Sequence, residues 1–372
     1  MPAAAEDGVL NDPGLSAWKK GEPMKGVVFT GNSALELMDF ADPAPGPADV
    51  VVEIKASGLC GSDLKLYRPP AGAAFAALGL KSDGRPIIAG HEPCGVIAAV
   101  GKDVPPRAAR VGDRVLVHHY SGCTTCPHCR TGWTQMCEAG AAVYGVTAHG
   151  GHAPYMMVPA SSVMPLPAEL SFSTGAAISC GTGTAFGALV RLGLTARGTV
   201  AIFGQGPVGL SATQLAHAMG ARVIAVDISA DRAARATAFG ADHTIDASVT
   251  DPVDAIRELT ACKGAGRTLD TSGTATGRSA AVRAAAAWGV VCFVGEGGDV
   301  ILNVSPDIIR KQLTITGSWT TSSTGLADCA RFIADRGLPV DELFTDRWAL
   351  DQAAEAYRVF DKQAAGKAVF VQ

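Results

Sequence analysis

The chain has 372 residues, of which 48% are hydrophobic and 18% are charged, and its formal net charge is −4 at pH 7. This length predicts two domains rather than one core. The mildly acidic charge argues against a nucleic-acid or membrane-surface partner, and no apolar run reaches the roughly 18 residues of a membrane span. The N-terminus is acidic and lacks the apolar region of a secretory signal, so we expect a cytoplasmic protein.

The first half of the chain has the pattern of a small β domain. Residues 1–23 show neither helical nor strand periodicity, and we expect them to be a loosely held extension. Short strands without intervening helices are predicted at residues 26–30, 50–56, 93–100 and 114–117. Strands in this order are typical of a partly open antiparallel barrel.

The second half alternates between strands and helices. Capping residues and helical periodicity begin near Ser171. Beyond residue 198, strands are predicted at 199–203, 222–226, near Thr244 and Thr268, and at 290–294 and 313–317, with helices at 208–219 and 231–239. This alternation predicts a doubly wound parallel sheet. The tail, residues 326–372, has two amphipathic helices and a closing strand, and we expect it to return to the first domain. The expected domains are therefore residues 1–181 with 319–372, and residues 182–318.

Four of the ten cysteines lie in one short segment, at Cys123, Cys126, Cys129 and Cys137. The two-residue gaps allow one loop to surround a tetrahedral zinc ion with thiolates. A site with four cysteine ligands leaves no open position for a substrate, so the segment predicts a structural ion. His128, inside the same segment, is interpreted as a surface residue.

A glycine-rich turn follows the strand predicted at residues 199–203. Its sequence is GQGPVG, from Gly204 to Gly209, and a helix follows it. Gly204 permits a tight turn, Gly206 lets the backbone approach a pyrophosphate, and Gly209 allows close helix packing. Asp227 ends the next strand, where a carboxylate binds the ribose hydroxyls and repels a 2′-phosphate. The turn, including Pro207 and Val208, therefore predicts NAD binding, although Arg232 could soften the exclusion of NADP.

Three further residues are candidates for a second metal site: Cys60, His91 and Cys180. Two thiolates and one imidazole form a known ligand set for catalytic zinc, with the fourth position open to water or substrate. Each residue taken alone has a simpler explanation, because single cysteines are often buried as small apolar residues and a single histidine often belongs to the core or the surface.

Together these motifs resemble those of the zinc-dependent medium-chain alcohol dehydrogenases. The matching segments, in the family's order, are residues 58–63 (GLCGSD), 90–92 (GHE), the four-cysteine segment, 180–184 (CGTGT) and 204–209 with Asp227. The resemblance covers nearly all of residues 24–372. It implies a GroES-like catalytic domain and a Rossmann NAD-binding domain, and two zinc ions per chain. One ion would be catalytic, on Cys60, His91 and Cys180, and the other structural, on the four cysteines.

The resemblance also implies roles for the neighbouring residues. Zinc would act as a Lewis acid on the alcohol oxygen, and Ser62 would accept the alcohol proton while hydride passes to the nicotinamide. Asp63 would fix the tautomer of His91, and Glu92 would be a second carboxylate near the ion. Thr184 is similar to the family's contact with the nicotinamide ring. Lys367 would reach the pyrophosphate, unless it is a solvated surface lysine.

The sequence departs from the family pattern at three places that bear on function. Gly61 stands where some relatives have a basic phosphate-binding residue, so cofactor affinity must come from elsewhere. Lys65 stands where many members have a histidine that completes the proton path, so the outer part of that path is open to question. Residues 66–86 form an unusually long segment between Cys60 and His91, and this segment borders either the substrate cleft or a subunit contact.

The expected function is therefore an NAD-dependent zinc alcohol dehydrogenase that acts on primary or secondary alcohols. Cys180 favours ordinary alcohols, because sorbitol-like enzymes of this family usually carry a glutamate there. The alternatives are a polyol or threonine-like dehydrogenase, a zinc-independent reductase of activated double bonds, and a non-catalytic NAD-binding scaffold. The family resemblance also implies a homodimer or homotetramer.

Overall fold

The computed structural model of the protein describes residues 23–73, 75, 84–363 and 366–372. The predicted N-terminal extension therefore lies outside the described residues, except for residue 23. Residues 74 and 76–83 of the long segment between Cys60 and His91 also lie outside them, so the location expected for that segment stays a prediction.

The described part of the chain contains strands that we number in chain order. They are β1 Met24–Gly31, β2 Ala34–Phe40, β3 Asp49–Gly58, β4 Glu92–Val100, β5 Arg114–Val117, β6 Tyr120–Ser121, β7 Ala142–Val143, β8 Tyr155–Pro159, β9 Val163–Pro165, β10 Thr199–Phe203, β11 Arg222–Asp227, β12 His243–Asp246, β13 Ala265–Asp270, β14 Ala285–Phe293, β15 Thr314–Gly317, β16 Phe344–Trp348 and β17 Lys367–Val371. The α-helices are Leu64–Tyr67, Pro127–Arg130, Phe172–Ala177, Gly183–Arg191, Pro207–Ala218, Ala230–Ala238, Pro252–Leu259, Ala275–Ala284, Val304–Asp307, Ser323–Arg336 and Ala353–Phe360.

Seven strands form a mainly antiparallel sheet in the order β16-β17-β3-β4-β5-β9, with β8 also paired to β3. β3 is its centre, because β4 pairs along one edge while β8 and β17 share the other edge. The run of apolar residues in β3 is buried on both faces. Val50, Val52 and Ile54 of this strand pack in one core with Ile97 and Met156. The antiparallel strands predicted for the first half of the chain are therefore confirmed.

Six strands form a second, parallel sheet in the order β12-β11-β10-β13-β14-β15. Counted from β10, this is the order 3-2-1-4-5-6 of dinucleotide-binding sheets, and it confirms the predicted doubly wound fold. All six strands are parallel, but the order in which successive strands are added reverses between β10 and β13. A crevice at such a point binds ligands in this class of sheet. The helices Pro252–Leu259 and Ala275–Ala284, which no sequence pattern had indicated, complete the connections between these strands.

The tail joins the first sheet, because β17 pairs antiparallel with β3 through Val369 and Gly58. Its two predicted helices are observed as Ser323–Arg336 and Ala353–Phe360, and β16 is an additional strand. The domain boundaries near residues 181 and 318 stay predictions. No helix in the described part of the chain is both long enough and apolar enough to cross a membrane.

One apolar core connects the two sheets. It runs from Ala56 and Cys94 of the antiparallel sheet, through Ile178, to Ile202 and Leu210 of the parallel sheet and its first helix. The two sheets meet through this core, and residues from both sides line a cleft of about 1430 Å³.

Candidate active site

Two groups of potential metal ligands are found among the described residues. One contains the four cysteines of residues 123–137, and the other contains Cys60, His91, Glu92 and Cys180. Within each group, the potential ligand atoms lie within 4.8 Å of one another. The fold therefore brings Cys60, His91 and Cys180 together from three separate segments, as the sequence predicted.

The local structure explains how these three residues meet. Gly58 of β3 lies opposite Glu92 of β4, so Cys60, just after β3, is placed beside His91, just before β4. Cys180 lies in a π-helical turn, Ile178–Thr182, between the helices Phe172–Ala177 and Gly183–Arg191. Such wide turns are frequent at functional sites, because the extra residue in the turn changes the direction of a side chain.

Charges within the group favour metal binding. Contact with the Cys180 thiol, and then the positive charges of His91 and Lys367, lower the pKa of Cys60 well below its usual range despite burial. The Cys60 sulfur and burial together raise the pKa of Cys180, so the two sulfurs share one proton when no metal is bound. A thiolate is the form that binds zinc, so a divalent cation would displace the remaining proton.

Glu92 adds an unsatisfied carboxylate to this group. The residue is fully buried, and its Oε1 atom has no hydrogen-bond partner among the described residues. Burial raises the pKa of Glu92 to about 8, against the lowering influence of Lys367. A buried oxygen without a donor is costly unless a cation balances it, so two thiols, one imidazole and this carboxylate fit a zinc ion.

Lys367 is not the solvated surface lysine that was one of the two expectations. It is only 2% exposed, and its Nζ lies 2.5 Å from Glu92 Oε2 and 3.2 Å from the Leu59 carbonyl oxygen. The reason is tertiary: β17 pairs with β3, which places the first residue of β17 beneath Cys60. Contact of Lys367 with a pyrophosphate stays a prediction. In this structure its ammonium group contacts Glu92 and the Leu59 carbonyl oxygen instead.

Asp63 and Ser62 contact His91 on different sides. Asp63 Oδ1 lies 2.8 Å from His91 Nδ1, while Ser62 Oγ lies 3.1 Å from His91 Nε2. Burial alone would lower the pKa of His91, but Asp63 and Cys60 raise it well above its usual value. The Asp63 contact keeps a proton on Nδ1, so Nε2 is the nitrogen that faces the sulfur atoms.

The four-cysteine group forms a closed site. The Thr125 hydroxyl and the Cys126 amide, which lie 3.4 and 3.3 Å from Cys123 Sγ, lower the pKa of Cys123 to about 6. A Cβ atom on Gly122 would lie 2.6 Å from Cys129 Sγ, so only glycine allows this close approach. Four thiols within reach of one another fit a structural zinc ion. His128 is exposed, as predicted.

The glycine-rich turn lines the same cleft as Cys60, His91, Glu92 and Cys180, which we call the open metal group. Gly204 has a φ of +87°, which favours glycine, and a Cβ atom on Gly209 would lie 1.9 Å from the Gly204 carbonyl oxygen. A Cβ atom on Gly206 would meet nothing within 4 Å, because this residue faces the open cleft. The helix Pro207–Ala218 starts here, so its first amides and its dipole face the space where a phosphate would bind.

Asp227 lies at the end of β11 and borders this cleft. Its carboxylate accepts hydrogen bonds from the Gln205 amide at 2.5 Å and the Ser229 amide at 2.9 Å. Arg232 Nη1 lies 4.0 Å from the same carboxylate, and its Nη2 donates to the Gln363 carbonyl oxygen at 2.6 Å. Pro207, Val208 and Thr184 also line the cleft.

Several residues that line the cleft near Cys60, His91 and Cys180 were not predicted from the sequence. The His119 ring lies 5.2 Å from that of His91, and its Nδ1 lies 3.0 Å from the Ser179 carbonyl oxygen. Burial lowers the pKa of His119 well below its usual value, so the ring is neutral. Tyr120 follows, with its ring 5.5 Å from that of Trp319. Two histidines and a tyrosine directly after a predicted strand were the available signal.

Lys65 forms an ion pair with Glu296 across the cleft, with Nζ and Oε2 2.8 Å apart. Lys65 lies in the helix Leu64–Tyr67, on the side of the antiparallel sheet, while Glu296 follows β14 of the parallel sheet. Both side chains are almost half exposed, at 42% and 49%. The lysine that replaces the expected histidine therefore connects the two sides of the cleft.

Comparison with known proteins agrees with this architecture. Residues 46–168 match the family model described as alcohol dehydrogenase GroES-like domain, and residues 207–335 match that described as zinc-binding dehydrogenase. The chain belongs to the zinc-dependent medium-chain alcohol dehydrogenase family. The family and the fold class predicted from the sequence are thereby confirmed, and the protein is an oxidoreductase of the zinc-type alcohol and polyol dehydrogenase group.

Individual relatives of this dehydrogenase cover nearly the whole chain. An uncharacterized zinc-type alcohol dehydrogenase-like protein of Escherichia coli, YphC, is 40% identical over 93% of this chain and 98% of its own length. The L-threonine 3-dehydrogenase of Symbiobacterium thermophilum is 30% identical over 90% of this chain and 93% of its own. The solved structure of galactitol-1-phosphate dehydrogenase from Escherichia coli has a TM-score of 0.82 and 30% identity, over 94% of this chain and all of that one.

Proposed function

We propose that the protein is an NAD-dependent zinc dehydrogenase that interconverts a primary or secondary alcohol and the corresponding aldehyde or ketone. The observation that supports it most is that one cleft is lined by both the Cys60, His91 and Cys180 group and the glycine-rich turn. In a nicotinamide cofactor bound along that cleft, the turn would hold the pyrophosphate and the nicotinamide ring would reach the metal group.

The residues around the metal group support specific roles. A zinc ion held by Cys60, His91 and Cys180 would supply a Lewis acid for the substrate oxygen. Ser62 is exposed to the cleft and its hydroxyl lies beside His91, so it is placed to accept the proton of a bound alcohol. Asp63 keeps His91 in one tautomer, and neutral His119 adds no competing positive charge to the group.

Asp227 supports NAD as the cofactor. Its carboxylate borders the cleft and is held by two backbone amides, so it has one defined position. A 2′-phosphate at this position would meet its negative charge, whereas ribose hydroxyls would donate hydrogen bonds to it. Arg232 is partly neutralised by the same carboxylate and is tied to the Gln363 backbone, which limits its use as a phosphate ligand.

The decisive experiment measures zinc content and turnover together. Purified protein should contain two zinc ions per chain and reduce NAD with an alcohol. Cys60→Ala should lose one ion and lose turnover while its circular dichroism is unchanged, because Cys60 belongs only to the open group. Cys262→Ala is the matched control, since Cys262 is exposed and lies in neither group. Full turnover in Cys60→Ala would contradict the proposal.

A polyol is a second candidate substrate, and polar side chains beside the metal group favour it. Ser62, His119 and the Lys65–Glu296 pair offer donors and acceptors beside the metal group, where a simple alkyl chain would have no hydrogen bonds to make. A panel of primary and secondary alcohols and polyols, assayed with NAD and NADP, separates the two candidates by kcat/KM. A preference for alkyl alcohols would remove the polyol.

A further inference from the structure

A buried chain of hydrogen bonds extends behind His91, away from the cleft. It begins with the 2.8 Å contact of His91 Nδ1 and Asp63 Oδ1, and the other carboxylate oxygen, Oδ2, accepts from the Tyr357 hydroxyl at 3.0 Å. The Tyr357 oxygen lies 2.8 Å from His152 Nε2, and His152 Nδ1 lies 2.7 Å from Ser57 Oγ. Tyr357, His152 and Ser57 have no exposed surface.

The direction of each hydrogen bond follows from chemistry. An ionised Asp63 only accepts, so Tyr357 must donate its single proton to it. The Tyr357 oxygen then accepts from His152, which must carry its proton on Nε2. Burial lowers the pKa of His152 to about 4, so the ring is neutral and its Nδ1 accepts from the Ser57 hydroxyl. Every proton in the chain is therefore directed towards Asp63.

This chain of hydrogen bonds does not provide a route for protons to the solvent. It ends at Ser57, which is fully buried, and Tyr357 keeps its proton because burial and the Asp63 charge raise its pKa. Bonds that all point the same way polarise one another and hold their members in place. The result is an Asp63 carboxylate with one fixed orientation, since the Cys60 amide also donates to its Oδ2 at 2.8 Å.

We propose that Tyr357 is a positioning residue for the metal group, an inference that rests on the proposed zinc site. Tyr357 lies in the tail helix Ala353–Phe360, far along the chain from every ligand. Its ring is held edge-on by Phe29, at 5.0 Å, so its hydroxyl stays aimed at Asp63. Asp63 in turn keeps the proton of His91 on Nδ1 and presents Nε2 to the ion.

The test compares two tyrosines in the same aromatic cluster. Tyr357→Phe removes the hydroxyl that donates to Asp63. Tyr67→Phe removes the hydroxyl of a neighbouring tyrosine, whose ring centre lies 5.4 Å from that of Tyr357 and whose hydroxyl makes no hydrogen bond to Asp63 among the described contacts. The affinity of the open metal group for zinc is measured by competition with a chromogenic chelator. Comparison with Cys60→Ala, which should lack the ion of this group, identifies which of the two zinc ions is being measured. Visible absorption of the cobalt-substituted protein reports the ligand geometry.

We expect Tyr357→Phe to bind this zinc about tenfold more weakly, at the lower end of the effect of partners behind a metal ligand, and to change the cobalt spectrum. Tyr67→Phe should match the unmodified protein in both measurements. His152→Phe, which removes the donor to Tyr357 but leaves Asp63 and its hydroxyl partner, should weaken zinc binding by less.

The results that would overturn the inference differ in what else they affect. If Tyr357→Phe and Tyr67→Phe have equal zinc affinities and cobalt spectra, Tyr357 has no positioning role, while the proposed function stands. If the unmodified protein holds no zinc that Cys60→Ala lacks, the proposed function fails as well. Should Tyr357→Phe not fold, an unchanged zinc affinity and an unchanged cobalt spectrum of His152→Phe would also overturn the inference.

Discussion

The buried ion pair of Lys367 and Glu92 makes a quantitative prediction about stability. At their separation of 2.5 Å and an effective dielectric constant of about 20, the Coulomb attraction is about 7 kcal/mol, and the cost of burying both charges offsets much of it. Removing one partner of such a pair typically costs about 3–5 kcal/mol, because the other charge stays buried. We expect about 3 kcal/mol for Lys367→Met, since burial already raises the pKa of Glu92 to about 8 and the carboxyl can take up a proton.

The free energy of unfolding in urea at pH 9, where most Glu92 side chains are ionised in the folded protein, measures this loss. The matched control is Lys65→Met, which removes an ion pair of similar length, 2.8 Å, that is almost half exposed. That change should cost at most about 1 kcal/mol, because solvent screens exposed pairs. The double change Glu92→Gln with Lys367→Met should recover part of the loss, since no buried charge remains.

The metal group gives this prediction a second check. Treatment with a chelator should enlarge the loss in Lys367→Met, because a bound cation would itself balance the charge of Glu92. If Lys367→Met and Lys65→Met cost the same, or if Lys367→Met costs less than about 1 kcal/mol, the reasoning from burial is wrong.

Two more predictions concern the cofactor and the pH dependence of stability. Asp227→Ser should raise the ratio of kcat/KM with NADP to that with NAD by about tenfold, because the carboxylate no longer repels a 2′-phosphate. Steady-state kinetics check this, with Asp231→Ser, a neighbouring acid outside the cleft lining, as the control; an unchanged ratio would contradict it. His152 has a pKa of about 4 when folded against an ordinary 6.5, so the unfolded chain binds the proton first as the pH falls. Stability should therefore be lost between pH 6.5 and 4, by about 3 kcal/mol, and urea unfolding of His152→Gln should show a shallower loss over this range. An equally steep loss in that variant would mean that His152 is not the group responsible.

The parts of the site that the sequence predicted are those set by short-range constraints. The turn from Gly204 to Gly209 could be interpreted from its sequence because Gly204 and Gly209 each meet a local steric demand. The structure shows a positive φ at Gly204 and a close backbone contact at Gly209. The four cysteines from Cys123 to Cys137 are likewise close in sequence and close in space. Strands such as Thr199–Phe203 were found because their apolar runs are continuous.

The parts that the sequence did not predict depend on contacts between distant segments. The charge of Lys367 suggested a solvated or phosphate-binding residue, and only the pairing of β17 with β3 places it beneath the metal group. His119 and Tyr120 follow a strand, but the strand pattern does not say that the chain turns towards His91 there. Tyr357 looks like an ordinary residue of an amphipathic helix until its hydroxyl is seen at Asp63.

The sequence by itself therefore predicted the family, the two-sheet fold and the grouping of Cys60, His91 and Cys180. It could do so because ligand chemistry and glycine geometry restrict the residue type at each of these positions. The tertiary structure alone decided what surrounds them: the buried cation at Glu92, the ion pair of Lys65 across the cleft, and the hydrogen bonds behind Asp63. Partners of this kind are chosen by the packing of remote strands and helices, which leaves no local pattern in the chain.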